Sequence, residues 1–187
     1  QRYAIDFEEV KSLGSVNSAT RTPEQTQLAQ LFAAVPSVTT TNVNVIWNNV
    51  VRDVTLSQHL TLLQSARLYA LLNVATIDGL QTSQTGKFIY GLWRPVTAIR
   101  AADTDTNPAT SSDAGWTPLL GTPPYPTYPG NMACIGAASA GALALGLGTD
   151  NVSFTATWAG VGGNPPIQRA YTSFSQLSQD EADSRIY

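Results

Sequence analysis

A lysine and an arginine set seven residues apart in an apolar run constrain this chain more than any other feature. The run reads Gly86-Lys87-Phe88-Ile89-Tyr90-Gly91-Leu92-Trp93-Arg94-Pro95-Val96-Thr97-Ala98-Ile99-Arg100. Seven residues make about two helical turns, so on a helix both cations project from one face. Phe88, Ile89, Tyr90, Leu92 and Trp93 between them suit a buried helix end. Pro95 then stops or kinks the helix and leaves Arg94 at its C-terminal end. An unpaired cation in such surroundings is costly, so each calls for an anionic partner. Two kinds of partner answer that demand. One is a structural carboxylate, with Asp103, Asp105 and Asp113 of the following stretch as candidates. The other is a bound oxyanion, for which lysine is a point charge and arginine a planar fork.

Composition sharpens the choice of Lys87. Charged residues make up only 12% of the 187, and Lys11 is the only other lysine. A net charge of −3 argues against nucleic-acid binding, which wants a basic stripe. No apolar run approaches the roughly 20 residues that span a bilayer. Gln1-Arg2-Tyr3-Ala4-Ile5 shows neither initiator Met nor signal-peptide pattern and reads as a mature or trimmed end. Cys134 is the sole cysteine, so no internal disulfide forms, and its apolar neighbours suggest a buried free thiol. Asn151-Val152-Ser153 fits the glycosylation acceptor pattern, which makes Asn151 a candidate and points to a secreted, extracellular setting.

Helical signals dominate the rest. Residues 1–21 read as irregular, with Phe7 and Val10 as anchors. Thr22-Pro23-Glu24-Gln25 is a helix start with a capping-box pattern, followed by Leu28, Leu31, Phe32 and Val35 on one face. Val43, Ile46, Trp47, Val50, Val51 and Val54 recur at helical spacing. From Ser57 to Ile77 the apolar residues go around most of a helix, which marks it as central. His59, the single histidine, has a capping or surface role near its start, and Asp78 is expected to be buried and paired with an arginine. A second helical piece runs from Lys87 to Trp93, and a short one begins near Pro95. Residues 102–131 form a long loop rich in turn signals. Met132 to Leu147 is a helix of small residues suited to close packing, Val152 to Trp158 a short strand, and Gly160 to Pro166 a loop. Ser178-Gln179-Asp180-Glu181 opens a last helix with acids in its first turn. There is no internal repeat.

These landmarks together resemble the vanadium-dependent haloperoxidases and the related acid phosphatases of the type-2 phosphatidic acid phosphatase superfamily. The first family motif, Lys-six residues-Arg-Pro, is intact as Lys87 to Arg94-Pro95, and the third begins at Ser184-Arg185-Ile186-Tyr187. Arg21-Thr22-Pro23-Glu24-Gln25, Ala66 to Asn73 and Trp116-Thr117-Pro118-Leu119 extend the similarity over nearly the whole chain. The resemblance implies an all-α, haloperoxidase-like helical bundle with long Pro/Gly-rich loops and little or no strand. It implies a single domain over 1–187, lacking the C-terminal part that would carry the last motif's histidine.

The resemblance also implies a site. Lys87, Arg94 and Arg185 match the positions that hold the oxygens of vanadate or phosphate. The middle motif, Tyr-Pro-Ser-Gly-His in the family, reads Tyr128-Pro129-Gly130-Asn131-Met132 here. Gly130 replaces the oxyanion-binding Ser, Asn131 the Gly, and Met132 the acid–base His. Methionine has no titratable proton for general acid–base work. The second family His ligates vanadium or attacks phosphorus, and His59 matches neither position. Two classes of function follow. One is a catalytically impaired, extracellular homologue that binds an oxyanion or serves as a structural, self-assembling protein, a homo-oligomer or filament. The other is an active vanadium-dependent haloperoxidase or acid phosphatase completed by residues outside this chain.

Overall fold

A computed structural model describes residues 2–187. Seven helices and one hairpin follow in the order α1 (Arg2–Leu13), α2 (Pro23–Phe32), α3 (Val43–Ser57), α4 (Leu62–Tyr90), α5 (Pro95–Arg100), α6 (Asn131–Leu147), β1 (Phe154–Trp158), β2 (Ile167–Tyr171) and α7 (Phe174–Asp183). A single 3-10 turn spans Ala102–Thr104. The mostly helical expectation holds, with β1 and β2 paired antiparallel from Phe154↔Tyr171 to Trp158↔Ile167.

Local chemistry explains most boundaries. Thr22 accepts from the Gln25 amide while the Gln25 side chain returns to the Thr22 amide, the reciprocal cap its sequence announced. Thr61 and Gln64 repeat the device at the start of α4. That cap puts the helix start at Leu62 rather than near Ser57. His59 falls in the connection before it, exposed and at φ 52°. No proline interrupts the segment, and the helix carries Gly79 and Gly86 in its interior, so α4 runs unbroken for 29 residues, about 43 Å, until Gly91. Gly91 takes the left-handed C-cap, φ 57°, a conformation glycine adopts without a Cβ penalty.

Three other boundaries depart from expectation. Residues 2–13 are helical, with Phe7 packing beside Ile99, Ala102 and Trp116 in a small second core. Strand β2 carried no clear alternation and takes its register from β1. Helix α7 starts one turn before Ser178, where Ser173 accepts from the Gln176 amide.

The main core gathers α2, α3, α6, α7, the hairpin and one face of α4 around Trp47, Trp158, Phe174, Leu72 and Leu143. Helices α4 and α6 approach closely because α6 is built of small residues. A Cβ on Gly79 would sit 2.8 Å from the Cys134 carbonyl oxygen and 2.9 Å from the Ala138 Cβ. The other face of α4 is not covered. Leu63, Val74, Ile77, Phe88 and Ile89 are all exposed, and so is Asp78, which pairs with no arginine.

Candidate functional site

Lys87 lies in the last turn of α4, 1% exposed. Its ammonium donates to the carbonyl oxygens of Pro126 (3.1 Å), Thr127 (2.9 Å) and Pro129 (2.6 Å). These use all three N–H donors of a lysine. Burial, joined by the nearby charge of Arg94, holds its pKa below the ordinary lysine value, with Cys134 acting the other way. Cys134 is partly buried, and burial raises its pKa against the opposing pull of Lys87.

Arg94 is not at the end of the Lys87 helix. Gly91 ends α4 first, and Arg94 is the N-cap residue of α5, with Pro95 at the first helical position. Its Nε donates to the Tyr125 carbonyl at 2.6 Å, and its guanidinium carbon lies 4.7 Å from the Tyr125 ring centroid. The Lys87 ammonium lies 5.3 Å from the same ring. The Arg94 Nη2 is buried and has no hydrogen-bond partner among the described residues. Phe88, Ile89, Tyr90, Leu92 and Trp93, expected to be buried between the two cations, face outward instead.

Arg185 follows α7. Its Nε donates to the Ser184 hydroxyl at 3.1 Å, and its Nη2 reaches the Ala29 carbonyl at 3.5 Å. Although the residue is exposed, surrounding protein desolvates the guanidinium and lowers its pKa. Glu181 and Tyr125 oppose that shift, and Arg94 adds to it. Arg94 is thus electrostatically coupled to both Lys87 and Arg185, which draws the three sequence-predicted cations into one neighbourhood around Tyr125.

The start of α6 reaches the same place. Gly130 is its N-cap and supplies no side-chain cap, so the first amides of the helix lack the usual partner. Asn131 does not close that gap, because its Oδ1 accepts from the Ser83 hydroxyl at 2.9 Å. Met132 packs partly buried against the main core. Pro129, in cis linkage to Tyr128, ties this end to Lys87 through its carbonyl.

Among the described residues none of the aspartates proposed as structural partners, Asp103, Asp105 or Asp113, forms an ion pair with Lys87 or Arg94. Asp105 accepts from the Thr110 hydroxyl and the Asn107 amide, and Asp113 from the Gly115 amide. The carboxylate near the cations is Glu181, which the sequence places among the acids of a first helical turn. It stands in the last turn of α7, fully buried, and its Oε2 accepts from the Trp47 indole at 2.9 Å. Burial pushes its pKa up to about 8, against the Trp47 hydrogen bond and the charge of Arg185. Glu181 precedes Arg185 by four residues, a spacing that was open to view in the sequence. Asn151, the glycosylation candidate, is exposed just beyond the Gly148 cap of α6. His59 precedes α4 and Lys87 closes it, which separates them by nearly the helix length.

Residues 67–187 match the family model of the VCPO second helical-bundle domain. The chain belongs to that family. The VCPO bundle here also matches the crystal structure of a bacterial vanadium-dependent iodoperoxidase, with a TM-score of 0.78 and 24% identity. The match covers 99% of this chain and 43% of the iodoperoxidase, so the chain spans less than half of that protein's length. Comparison with curated protein sequences gives no match. Together these findings give the chain a vanadium haloperoxidase-like fold, as its motifs implied. Among the described residues no helix is long and apolar enough to cross a membrane.

Proposed function

We propose that this VCPO-type bundle holds a small oxyanion and acts through binding or assembly rather than through turnover. One observation carries the reading: the buried, unpartnered Nη2 of Arg94, in electrostatic reach of Arg185. A buried cationic donor left without an acceptor costs on the order of 1–3 kcal/mol or more. An oxyanion removes that cost through a charge-assisted bond, and the uncapped amides at Gly130 and Asn131 add donors of the kind that bind anions. Arg94, Arg185 and these amides fit the oxygens of phosphate, sulfate or vanadate. Vanadate, when bound, would supply a Lewis-acidic centre able to activate peroxide. Lys87 acts as a strut that fixes the 126–129 loop, and the charge it adds to the site is long-range.

The absence of turnover is supported by Met132 at the acid–base position, a side chain with no proton to exchange. Exposed Asn151 supports a secreted glycoprotein, and the bare apolar face of α4 supports a homo-oligomer or filament. A second reading, an active vanadium-dependent haloperoxidase or acid phosphatase completed by residues outside this chain, is favoured by the likeness to an iodoperoxidase over 99% of the chain.

Calorimetric titration with orthovanadate, run beside a halide-oxidation assay with peroxide on the same sample, separates the two. The expected result is saturable binding that weakens at least tenfold in Arg94→Met, without halide oxidation. Turnover would establish the second reading. Silence in both assays would leave the bundle as a scaffold.

A further inference from the structure

Glu181 is a buried carboxyl that the family motifs leave without a role. It is 0% exposed, its Oε2 accepts from the Trp47 indole of α3, and its Oε1 has no hydrogen-bond partner among the described residues. Helix α6 presses against it: a Cβ on Gly136 would lie 2.8 Å from Oε2, so only glycine lets α6 come this close without displacing the carboxyl. Gly136 is one turn beyond Met132 on the same helix. Arg185 is one turn beyond Glu181 in sequence, acts on it electrostatically, and forms no ion pair within 4.0 Å among the described residues. Its own hydrogen bonds, at 3.1 and 3.5 Å, hold it loosely. Arg185 can therefore serve either of two anions, the Glu181 carboxylate or an oxyanion beside Arg94.

We propose that Glu181 is the internal counter-charge of the cradle, a positioning residue that must be protonated for an oxyanion to occupy the site between Arg94 and Arg185. Ionised, Glu181 draws Arg185 to itself and repels the incoming anion. Neutral, it keeps its bond from Trp47 and leaves Arg185 free. This inference rests on the oxyanion-holding reading above.

The groups acting on Glu181 are Trp47 from α3 and Arg185 after α7. Arg94 and Tyr125 act in turn on Arg185, and α6 brings the partly buried thiol of Cys134 near Lys87. The neighbouring acid of α7, Asp180, is engaged elsewhere: it accepts from the Tyr171 hydroxyl at 2.9 Å and pairs with Arg169. Burial raises the Glu181 pKa into the range where this switch would operate near neutral pH.

The test uses sulfate, whose charge stays constant over the relevant range, titrated into the whole chain from pH 6 to 9.5. The dissociation constant should rise about tenfold per pH unit above the Glu181 midpoint, the limit for one linked proton. In Glu181→Gln, which keeps an acceptor for Trp47, it should stay flat. A parallel loss of affinity in Glu181→Gln would assign the linkage to another group, Lys87 or Cys134, and overturn the proposal, as would a flat wild-type profile. Binding absent even at pH 6 would overturn the oxyanion reading itself. Should Glu181→Gln misfold, the wild type suffices. The Trp47 indole N–H resonance should titrate with Glu181, and its midpoint should move to higher pH when sulfate is added. An unmoved midpoint in the presence of bound sulfate refutes the coupling.

Discussion

Lys87 binds three carbonyl oxygens of one loop, and that geometry makes it structural whatever else the site does. Lys87→Met would leave three inward-facing acceptors without their cation. It should cost about 2–4 kcal/mol in denaturant unfolding, given what charge-assisted bonds and orphaned acceptors contribute. A loss under half a kilocalorie would mean the loop rehydrates freely. Glu181 makes a prediction of opposite character. Its pKa is raised from the ordinary carboxyl value to about 8 in the fold. Between roughly pH 4.5 and 8 the folded chain therefore keeps a proton that the unfolded chain gives up. The stabilisation from this group is complete below that window and is lost as the pH rises through it. Urea midpoints at pH 5 and pH 8 should fall further for wild type than for Glu181→Gln. Equal slopes would show that Glu181 is ionised throughout.

The contact between α4 and α6 depends on the absence of side chains. Gly79→Ala would place a Cβ against the α6 backbone and the Ala138 methyl at less than 3 Å. Both obstacles belong to a rigid helix, so the change should destabilise by about 1–3 kcal/mol, the usual cost of overpacking. Gly141, on the same small-residue helix, provides the contrast. Its position is exposed and nothing lies within 4 Å of an added Cβ. Gly141→Ala should stabilise by about 0.5–1 kcal/mol through helix propensity alone. Chevron or equilibrium unfolding of both variants checks the pair. If the two substitutions shift stability in the same direction, the close approach of α4 and α6 does not govern packing here.

At the scale of the whole molecule, the uncovered face of α4 sets the solution behaviour. Leu63, Val74, Ile77 and Phe88 line up along some 40 Å of helix, with Leu145 of α6, itself 86% exposed, on its flank. The chain should bind a hydrophobic dye such as ANS while fully folded. The triple variant Val74→Ser/Ile77→Ser/Phe88→Ser should lose at least half of that signal with its circular dichroism unchanged. Dye binding that survives would place the apolar surface elsewhere. This face also shows where reading the chain succeeded and where it stopped. Periodicity and capping residues determined α2, α3, α6 and the start of α5, because those signals act within a few residues. Motif spacing picked out Lys87, Arg94 and Arg185. Apolar pattern alone could not tell a helix buried on all sides from one left bare on a face, since that depends on what else packs there. Nor could the sequence show that Lys87 is saturated by the 126–129 carbonyls, that Asp78 points to solvent, or that the carboxylate beside the cations is Glu181 rather than an aspartate of the long loop. Those are contacts between residues tens of positions apart, and only the folded chain decides which charges meet and which remain without a partner.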